Sequence, residues 1–494
     1  MNKEYDVEKQ HKKQKYHAIE RIMLLLDRGS FREIGSGINS YHYQESKNDI
    51  PYDGVIIGKG RILGKTVFVF AQDFTVSGGS IGYNHGKKIA KIIRMAVEAK
   101  CPVIGVYDSG GARISEGINA LAGCGEMMHQ NTLASGVIPQ ISVVVGPCAG
   151  AAAYSPAITD FVFMVDKIGQ MYVTGNKVIE QVTGEACTLQ ELGGAKIHTT
   201  VSGVAHFSFS SEKMCFTEVR RLISYLPSSF ADDQDEVSDF HPSNLDLNTI
   251  IPSDDKTPYD MHNVIDGIFD DKTFIEVHKD FAESMVVGFG KLCGKTIGVV
   301  ANNPKAKSGC INSDSSDKAA RFVRFCDAFD IPLLTLVDTP GYLPGIAEEH
   351  NGIIRHGAKL LYAYSESTNI KITVVLRKAY GGAYIAMGSR HLGANYVYVC
   401  KNATLAVMGA EGAVSIMYHK ELSNLSDDDY NNTKNKLVQE YSQMYMNTDM
   451  ACREGFVDEI ITPDMIRRRI YDDVCSFEKG RNRSVNKKHG NIPL

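Results

Sequence analysis

No two of the eleven cysteines form a C-x-x-C pair, and they are scattered through otherwise apolar segments. That excludes the usual zinc spacings and predicts reduced, buried thiols rather than a disulfide framework. No phosphate loop of the Gly-x-x-x-x-Gly-Lys-Ser/Thr type is present, and the glycines of Gly58-Lys59-Gly60 and Ser77 to Gly82 do not make a dinucleotide fingerprint. The sequence therefore offers no site for ATP chemistry. The fifteen histidines have no metal-ligand spacing with cysteine or carboxylate, so no metal is expected. A net charge of -5 gives no broad basic surface, which argues against nucleic acid or anionic lipid as the main partner.

Long apolar runs are missing as well. Residues 141–158 are nearly free of charge but are interrupted by Gly146, Pro147, Gly150 and Pro156, whereas a membrane span needs about 20 predominantly apolar residues. The N-terminal run Ile22 to Leu26 is too short for an export signal and meets Asp27-Arg28 at once. A cytoplasmic protein is expected. With 494 residues, 43% of them hydrophobic and 22% charged, the chain is long enough for more than one globular domain.

One stretch organises what is present: Gly146-Pro147-Cys148-Ala149-Gly150-Ala151-Ala152-Ala153-Tyr154, after the β-branched run Ile141-Ser142-Val143-Val144-Val145. A strand, a turn of small residues and a helix start are predicted there, and the first amides of a helix have no intrahelical acceptor. Such a point suits an oxyanion. Upstream, Ala18, Ile19, Ile22, Met23 and Leu26 predict one amphipathic helix over 8–28, stopped by Gly29. Short strands are predicted at Val55-Ile56-Ile57, Arg61-Ile62-Leu63 and Thr66 to Phe70, a helix over Lys87 to Ala96, and a strand over Pro102 to Tyr107 that ends in Asp108-Ser109-Gly110-Gly111-Ala112-Arg113. The alternation predicts α/β layers with parallel pairing.

Residues 231–260 break the pattern. Asp232, Asp233, Asp235, Glu236, Asp239, Asp246, Asp254, Asp255 and Asp260 gather there with Pro242, Pro252 and Pro258, which predicts a linker or surface crossing. Beyond it the chain repeats itself. Gly60 and Gly290, Gly64-Lys65-Thr66 and Gly294-Lys295-Thr296, Gly79 and Gly309, Lys88 and Lys318, Arg94 and Arg324, Pro102 and Pro332, Asp108 and Asp338 all differ by 230. Further on, Gly150-Ala151 matches Gly382-Ala383 at an offset of 232. Two copies of one α/β unit follow, with expected domains 1–240 and 255–494.

Each copy offers two turns at strand carboxyl ends: Asp108 to Gly111 with Gly150-Ala151, and Asp338-Thr339-Pro340-Gly341 with Tyr380-Gly381-Gly382-Ala383. Two backbone amides from separate turns can grip one carbonyl oxygen, and losing such a donor costs about 2.7–4 kcal/mol of transition-state stabilisation. Ser109 beside two glycines also permits a serine-hydrolase reading. The repeat weakens it, because the second copy has Thr339-Pro340 at that place.

These residues resemble the biotin-dependent acyl-CoA carboxyltransferase subunits: the β chains of propionyl-CoA and acetyl-CoA carboxylases and the matching chains of methylmalonyl-CoA decarboxylase and transcarboxylase. The resemblance covers nearly the whole chain. It is carried by Tyr107 to Ile114, Gly146 to Asp160, Glu191 to Ala195 with His198 to His206, Arg321 to Asp327, Gly352 to Lys359, Arg377 to Tyr384, and the ending Lys487 to Leu494.

It implies two tandem crotonase-like domains (the ββα spiral of the ClpP/crotonase class) from an internal duplication. It also implies a homohexamer whose sites lie between one subunit's N-half and another's C-half. The N-half would hold the acyl-CoA, with Gly110, Gly111, Gly150 and Ala151 at the thioester and Ala112, Arg113 and Tyr154 as substrate contacts. The C-half would hold carboxybiotin, with Gly341, Gly381, Gly382 and Ala383 around the ureido oxygen and Ile385 at the acyl group. By the same resemblance carboxybiotin releases CO2, the biotin anion takes the α-proton of the thioester, and the enolate attacks the CO2. No Met-Lys-Met biotinylation site is present, so biotin would arrive on a separate carboxyl carrier protein. A biotin carboxylase subunit or a membrane decarboxylase subunit of a sodium pump would complete the complex.

Three departures from the family pattern concern the substrate. Ala151 stands where a second Gly is common, Ile385 where propionyl-type enzymes often have Asp, and Tyr398-Val399-Cys400 where an Ala-Trp-Pro-like stretch is usual; the chain has no Trp at all. The propionyl/methylmalonyl pair is the expected substrate, with acetyl-CoA as the alternative. Two rivals of other classes stand beside it, a Ser109 thioester hydrolase and a non-catalytic assembly scaffold.

Overall fold

Thr66 to Phe70 lies in an eight-residue strand, Lys65–Gln72, whose last six side chains are buried, as a central strand covered on both faces requires. Around it the computed structural model, which describes residues 7–40, 50–232 and 237–476, shows an α/β fold in two units, Met1–Asp233 and Gln234–Leu494. The ending Lys487 to Leu494 lies outside the described residues.

The first unit is built on eight strands: β1 (Arg32–Ile34), β2 (Val55–Ile62), β3 (Lys65–Gln72), β4 (Val103–Ser109), β5 (Gln140–Ala149), β6 (Phe161–Val165), β7 (Gln170–Tyr172) and β8 (Phe207–Phe209). They run in the order β1-β2-β3-β4-β5-β6-β8, with β7 on the far end of β5. The second unit repeats this with β9 (Ile275–Val277), β10 (Met285–Leu292), β11 (Lys295–Asn302), β12 (Leu333–Thr339), β13 (Lys371–Tyr380), β14 (Tyr396–Cys400), β15 (Thr404–Ala406) and β16 (Glu459–Ile461) in the matching order. From β3 to β8 the pairing is parallel, whereas β1-β2-β3 is antiparallel, and the two pieces expected at Val55 and Arg61 are one strand. Gly64, at φ 81 between β2 and β3, makes that hairpin tight enough to pair Ile62 with Lys65.

The first four helices of the first unit are α1 (Val7–His11), α2 (Ala18–Leu25), α3 (Tyr83–Glu98) and α4 (Ile118–Ala134). The single helix expected over 8–28 is therefore broken. Gln14 takes φ 57, and His17 caps α2 by accepting from the Ile19 amide at 3.2 Å while Glu20 accepts from the His17 amide at 2.7 Å. The apolar residues behind that expectation, Ala18 to Leu26, all lie in or just after α2, whereas α1 buries only the polar Gln10, on Asp108. The strand expected over Ile141 to Val145 is longer than expected. β5 continues through Gly146-Pro147 to Ala149 because it leaves β6 and pairs Pro147, Cys148 and Ala149 with β7.

Recurring contacts prove the duplication. The buried Lys88 reaches the carbonyl oxygens of Tyr52 and Val55, and Lys318 those of His278 and Phe281, at 2.5–2.8 Å. Asp27 accepts from the Leu63 and Gly64 amides and from Arg220; Asp270 accepts from Cys293, Gly294 and Arg467 in the same way. The match reaches back to the helix Met261–Ile268, whose partner is α2: Arg220 bonds Leu25 O and Arg467 bonds Ile268 O.

Of the stretch read as a linker, residues 237–260 belong to the second unit. Leu247, Ile251 and Tyr259 are buried in its core, and Ser238 hydrogen-bonds Cys293 O. Three of its described acids are helix caps or turn acceptors: Asp246 for the Asn248 amide, Asp254 for Thr257 and Asp260 for His262. Capping acids and prolines hid three core residues that follow no regular period.

Burial also sets one pH response. Asp473, on the helix Ile466–Ser476, accepts from the Tyr398 hydroxyl at 2.8 Å, and burial pushes its carboxyl up to about 6 from 3.8. A carboxyl raised in the folded state stabilises the fold while protonated, and that contribution is lost as pH rises from about 4 through about 6. Asp473→Asn, which keeps an acceptor for Tyr398, is expected to melt a few degrees above the wild type at pH 7.5 and level with it near pH 4. Calorimetry at both pH values checks this, and a gap that does not change with pH would refute it.

Candidate active site

The expected site turns hang on a buried carboxylate at the end of a strand. In the first unit Asp108 is fully buried, and one of its oxygens, Oδ2, takes Lys15 Nζ at 2.7 Å, Arg21 Nη1 at 2.9 Å and Gln10 Nε2 at 3.3 Å. Burial lowers the pKa of Lys15 against the pull of Asp108. Arg21 also holds Glu212 at 2.6 Å. In the second unit Asp338 is equally buried and is held by Arg377 Nε at 2.7 Å. Arg377 continues to the carbonyls of Asp254 and Thr257 and lies 4.6 Å from the Tyr259 ring centroid. Main-chain contacts fix both turns: the Asp108 amide bonds Gln72 at 3.2 Å and the Asp338 amide bonds Asn302 at 3.3 Å. Gly79 and Gly309 approach the Asp108 and Asp338 carbonyls so closely that no Cβ fits at either place.

Beyond Asp108 most backbone donors are spent inside the turn. Gly110 N–H bonds Gly78 O at 2.9 Å, Gly111 N–H bonds Ser109 Oγ at 3.2 Å, and the Gly111 carbonyl accepts from Ile81. Gly150, at φ 57, gives its N–H to Tyr172 O at 2.9 Å and opens α5 (Ala151–Ile158). Ala153 is the first residue of α5 to return to a carbonyl, that of Gly150 at 3.0 Å, so the amides of Ala151 and Ala152 precede any intrahelical acceptor. The two turns meet: a Cβ on Gly111 would stand 2.8 Å from Ala149 O.

The second unit has the same parts. Gly341 N–H bonds Thr339 Oγ1 at 3.3 Å, and Gly381, at φ 57, opens the helix Gly381–Ala386, whose first-turn amides include Gly382 and Ala383. Strand register and backbone angle equate Gly150 with Gly381, Ala151 with Gly382 and Ala152 with Ala383, an offset of 231 where the sequence reading had 232. The glycine at 381 serves the left-handed turn, and the next residue is the first free donor.

The named glycines and alanines thus fall into three groups. Gly110 and Gly150 shape the first turn with amides already engaged. Gly111 and Gly341 give theirs to a hydroxyl two residues back, an acceptor that a side-chain rotation removes. Ala151, Gly382 and Ala383 present donors. Tyr154 and Ile385 are equivalent under the same offset, and at 50% and 40% exposure both stand open beside their turns. Ala112 lies in the bridge to Ile81. Arg113 corrects an expectation. Its guanidinium is buried on Asp53, on Glu116 at 2.6 Å and on Ser80 O at 2.8 Å, so it locks the loop and offers no free charge to a substrate. Burial raises the Asp53 pKa despite Arg113, and Asp53 fixes the start of α3 through the His85 amide at 2.6 Å.

Ser109 is fully buried, its Oγ accepts from the Gly111 amide, and among the described residues no histidine is hydrogen-bonded to it, so no Ser-His pair supports the hydrolase reading. Sequence reasoning missed Tyr342, whose ring edge would meet a Cβ on Gly382 at 3.7 Å and whose hydroxyl burial pushes up to about 12. The signal was available, because Tyr342 stands 230 residues after Ala112. His241, Asp270 and Cys293 bring ligand-type atoms within 4.8 Å of one another, but Arg467 already supplies a cation to Asp270 at 2.8 Å and to His241 at 3.2 Å. All eleven cysteines are free. Among the described residues no helix is long and apolar enough to cross a membrane.

Known proteins resemble this chain along nearly its whole length. The family model for the carboxyl transferase domain matches residues 9–492. The propionyl-CoA carboxylase carboxyltransferase subunit of Haloferax mediterranei is 48% identical over 490 residues, 98% of this chain and 95% of that protein. Methylmalonyl-CoA decarboxylase subunit alpha of Propionigenium modestum is 45% identical over 493 residues, 99% of this chain and 95% of that one. Among solved structures, the transcarboxylase 12S hexamer with methylmalonyl-CoA and methylmalonic acid bound matches with a TM-score of 0.94 at 44% identity, covering 99% of this chain and 94% of its own.

The two glycines at the second helix start have separable roles. Gly381→Ala forces a side chain into φ 57 and sets its Cβ 3.0 Å from Val407 O, for an expected loss of about 1–3 kcal/mol. Gly382→Ala makes only ordinary contact with Tyr342 and is expected to cost less than about 1 kcal/mol. Urea unfolding of both variants measures the difference, and equal losses would contradict this division of labour.

Proposed function

This chain belongs to the carboxyl transferase family, as a biotin-dependent acyl-CoA carboxyltransferase with a duplicated crotonase-like fold, and we propose that its two half-sites divide the chemistry between them. The first unit holds the thioester of a short acyl-CoA, of which the propionyl/methylmalonyl pair is our reading and acetyl-CoA the alternative. The second holds biotin, brought by a separate carrier chain. Biotin, when bound, supplies or accepts the carboxyl group. One observation carries the division: each unit presents free first-turn amides at the same point of the same strand-turn-helix, so two oxyanions can be met at once.

The residues fit those two groups. Ala151, with Gly111 once Ser109 rotates away, offers N–H donors to a thioester carbonyl that becomes an enolate oxygen. Gly382 and Ala383 offer donors to a ureido oxygen, and Gly341 opens the approach, since a Cβ there would meet no atom within 4 Å. Backbone donors fixed by a sheet need no reorganisation when charge develops on the oxygen, which stabilises a transition state more than a ground state. Among the described residues Asp108 and Asp338 are the buried carboxylates closest in sequence to the turns, and both are neutralised by cations, so neither opposes the developing charge. Tyr154 borders the acyl side and Ile385 sets acyl preference. Which partner completes the complex, a biotin carboxylase or a membrane decarboxylase subunit, sets the direction of transfer.

Gly382→Val is expected to raise KM for free biotin at least tenfold and leave KM for propionyl-CoA within twofold, because the added methyls crowd the second turn alone. Equal losses for both substrates would end the two-site division. In the same assay with acetyl-, propionyl- and butyryl-CoA, Ile385→Asp is expected to reorder kcat/KM, within the roughly 10- to 200-fold that a methylene in an apolar pocket is worth. An unchanged order would remove Ile385 from the acyl pocket.

We also propose a homohexamer, the assembly named for transcarboxylase 12S, in which the first-unit turn of one copy works with the second-unit turn of another. Light scattering at micromolar concentration is expected to give six copies, and a fully active monomer would exclude the shared site.

A further inference from the structure

We infer that one position, Ala112 in the first unit and Tyr342 in the second, decides which ligand each half-site admits: the slot beside Ala112 takes the thioester chain, and the Tyr342 ring closes the matching slot to it. This rests on the carboxyltransferase reading above and adds the residue that makes two copies of one site unlike.

The backbone gives the two residues equivalent places, each within its own unit. In the first unit the Ile81 amide bonds Gly111 O at 2.8 Å and the Arg113 amide bonds Ile81 O at 2.9 Å. In the second, the Ile311 amide bonds Gly341 O at 3.1 Å and the Leu343 amide bonds Ile311 O at 2.8 Å. Ala112 and Tyr342 are the residues enclosed by these paired bonds, bridged to Ile81 and Ile311 respectively. The helix behind each turn is also equivalent: α4 and the helix Ile353–Glu366 both end on an extended serine, Ser135 and Ser367. Counting back the same distance from each serine gives Gly125 and Gly357.

In the second unit the phenol ring stands between two glycines. A Cβ on Gly357 would lie 3.0 Å from Tyr342 Cε1 and 3.1 Å from its hydroxyl, and a Cβ on Gly382 would lie 3.7 Å from Cε2. Among the described residues the buried hydroxyl has no hydrogen-bond partner, so what the ring brings to this place is bulk. In the first unit a Cβ on Gly125 would meet no atom of the described residues within 4 Å, and the side chain at the turn is a single methyl. The same backbone slot is filled by an aromatic ring in one copy and left open by the protein in the other.

The ligands differ in the same sense. A thioester carbonyl carries a chain on both sides and needs a path beside the donors of α5. A ureido oxygen sits at the end of a compact bicyclic head, for which a flat apolar wall at Gly382 is a better neighbour than an open channel. A ring at 342 also keeps a thioester from occupying the second set of donors, which would block transfer. Specificity here is exclusion by bulk as much as attraction.

The test exchanges the side chains and reads both substrates in the carboxyl-transfer assay with free biotin and propionyl-CoA. Ala112→Tyr is expected to raise KM for propionyl-CoA about tenfold or more and leave KM for biotin within twofold. Tyr342→Ala is expected to raise KM for biotin and to make propionyl-CoA a competitive inhibitor against it, a signature that a merely structural ring would not produce. Tyr342→Phe keeps the ring and is expected to restore the wild-type ratio of the two KM values. Should Tyr342→Ala fail to fold, the other two variants decide. Wild-type transfer with an unchanged propionyl-CoA KM in Ala112→Tyr would overturn the inference alone. A wild type that transfers nothing would overturn the carboxyltransferase reading and the inference with it.

Discussion

A carboxylate taken out of water at the end of a central strand constrains everything around it. An unpaired charge in such a place costs several kcal/mol, so Asp108 and Asp338 can be buried only where the fold delivers a cation to each. The two units solve this differently at one structural position. In the first, Gly146 leaves room for Lys15 and Arg21 to arrive from the N-terminal segment, and a side chain at 146 would collide with Asp108 and Lys15. In the second, the equivalent residue is Arg377, which supplies the charge itself and uses its remaining donors to tie down residues 254–257. Segments that carry little regular structure are thereby fixed, because each completes an ion pair or its hydrogen bonds.

The anchored aspartates explain why the turns beyond them can be made of glycine and alanine without becoming loose. Their amide hydrogens are bonded to Gln72 and Asn302, and their carbonyls are packed against Gly79 and Gly309. Ion pair, amide and carbonyl leave the Asp no freedom, and the next residues inherit its position. The strand-turn-helix geometry then leaves the amides at the start of each short helix without intrahelical acceptors. Those amides are a by-product of helix geometry, which duplication copied along with the sheet. Divergence acted on side chains that border them: Ala112 became distinct from Tyr342, Ala151 from Gly382 and Tyr154 from Ile385. In each pair the main chain is unchanged and the space beside the donors is not.

The duplication, the α/β class and the four turns were legible in the amino-acid order, because glycines at left-handed or crowded positions and aspartates at strand ends keep their spacing when a unit is copied. Asp108 and Asp338, Gly79 and Gly309, and Lys88 and Lys318 mark one backbone twice. Only the tertiary structure decided which amides are free: Gly150 and Gly382 look alike as letters, but Gly150 gives its N–H to Tyr172 on β7, and that pairing depends on β5 leaving β6. The engagement of Arg113 by Asp53, Glu116 and Ser80 was likewise hidden, since its partners include residues far from it in the chain. The break before α2, the burial of Leu247, Ile251 and Tyr259, and the ring of Tyr342 between two glycines follow the same rule. Local order sets backbone conformation through sterics and caps, whereas occupancy of a donor or a slot depends on what long-range packing brings beside it.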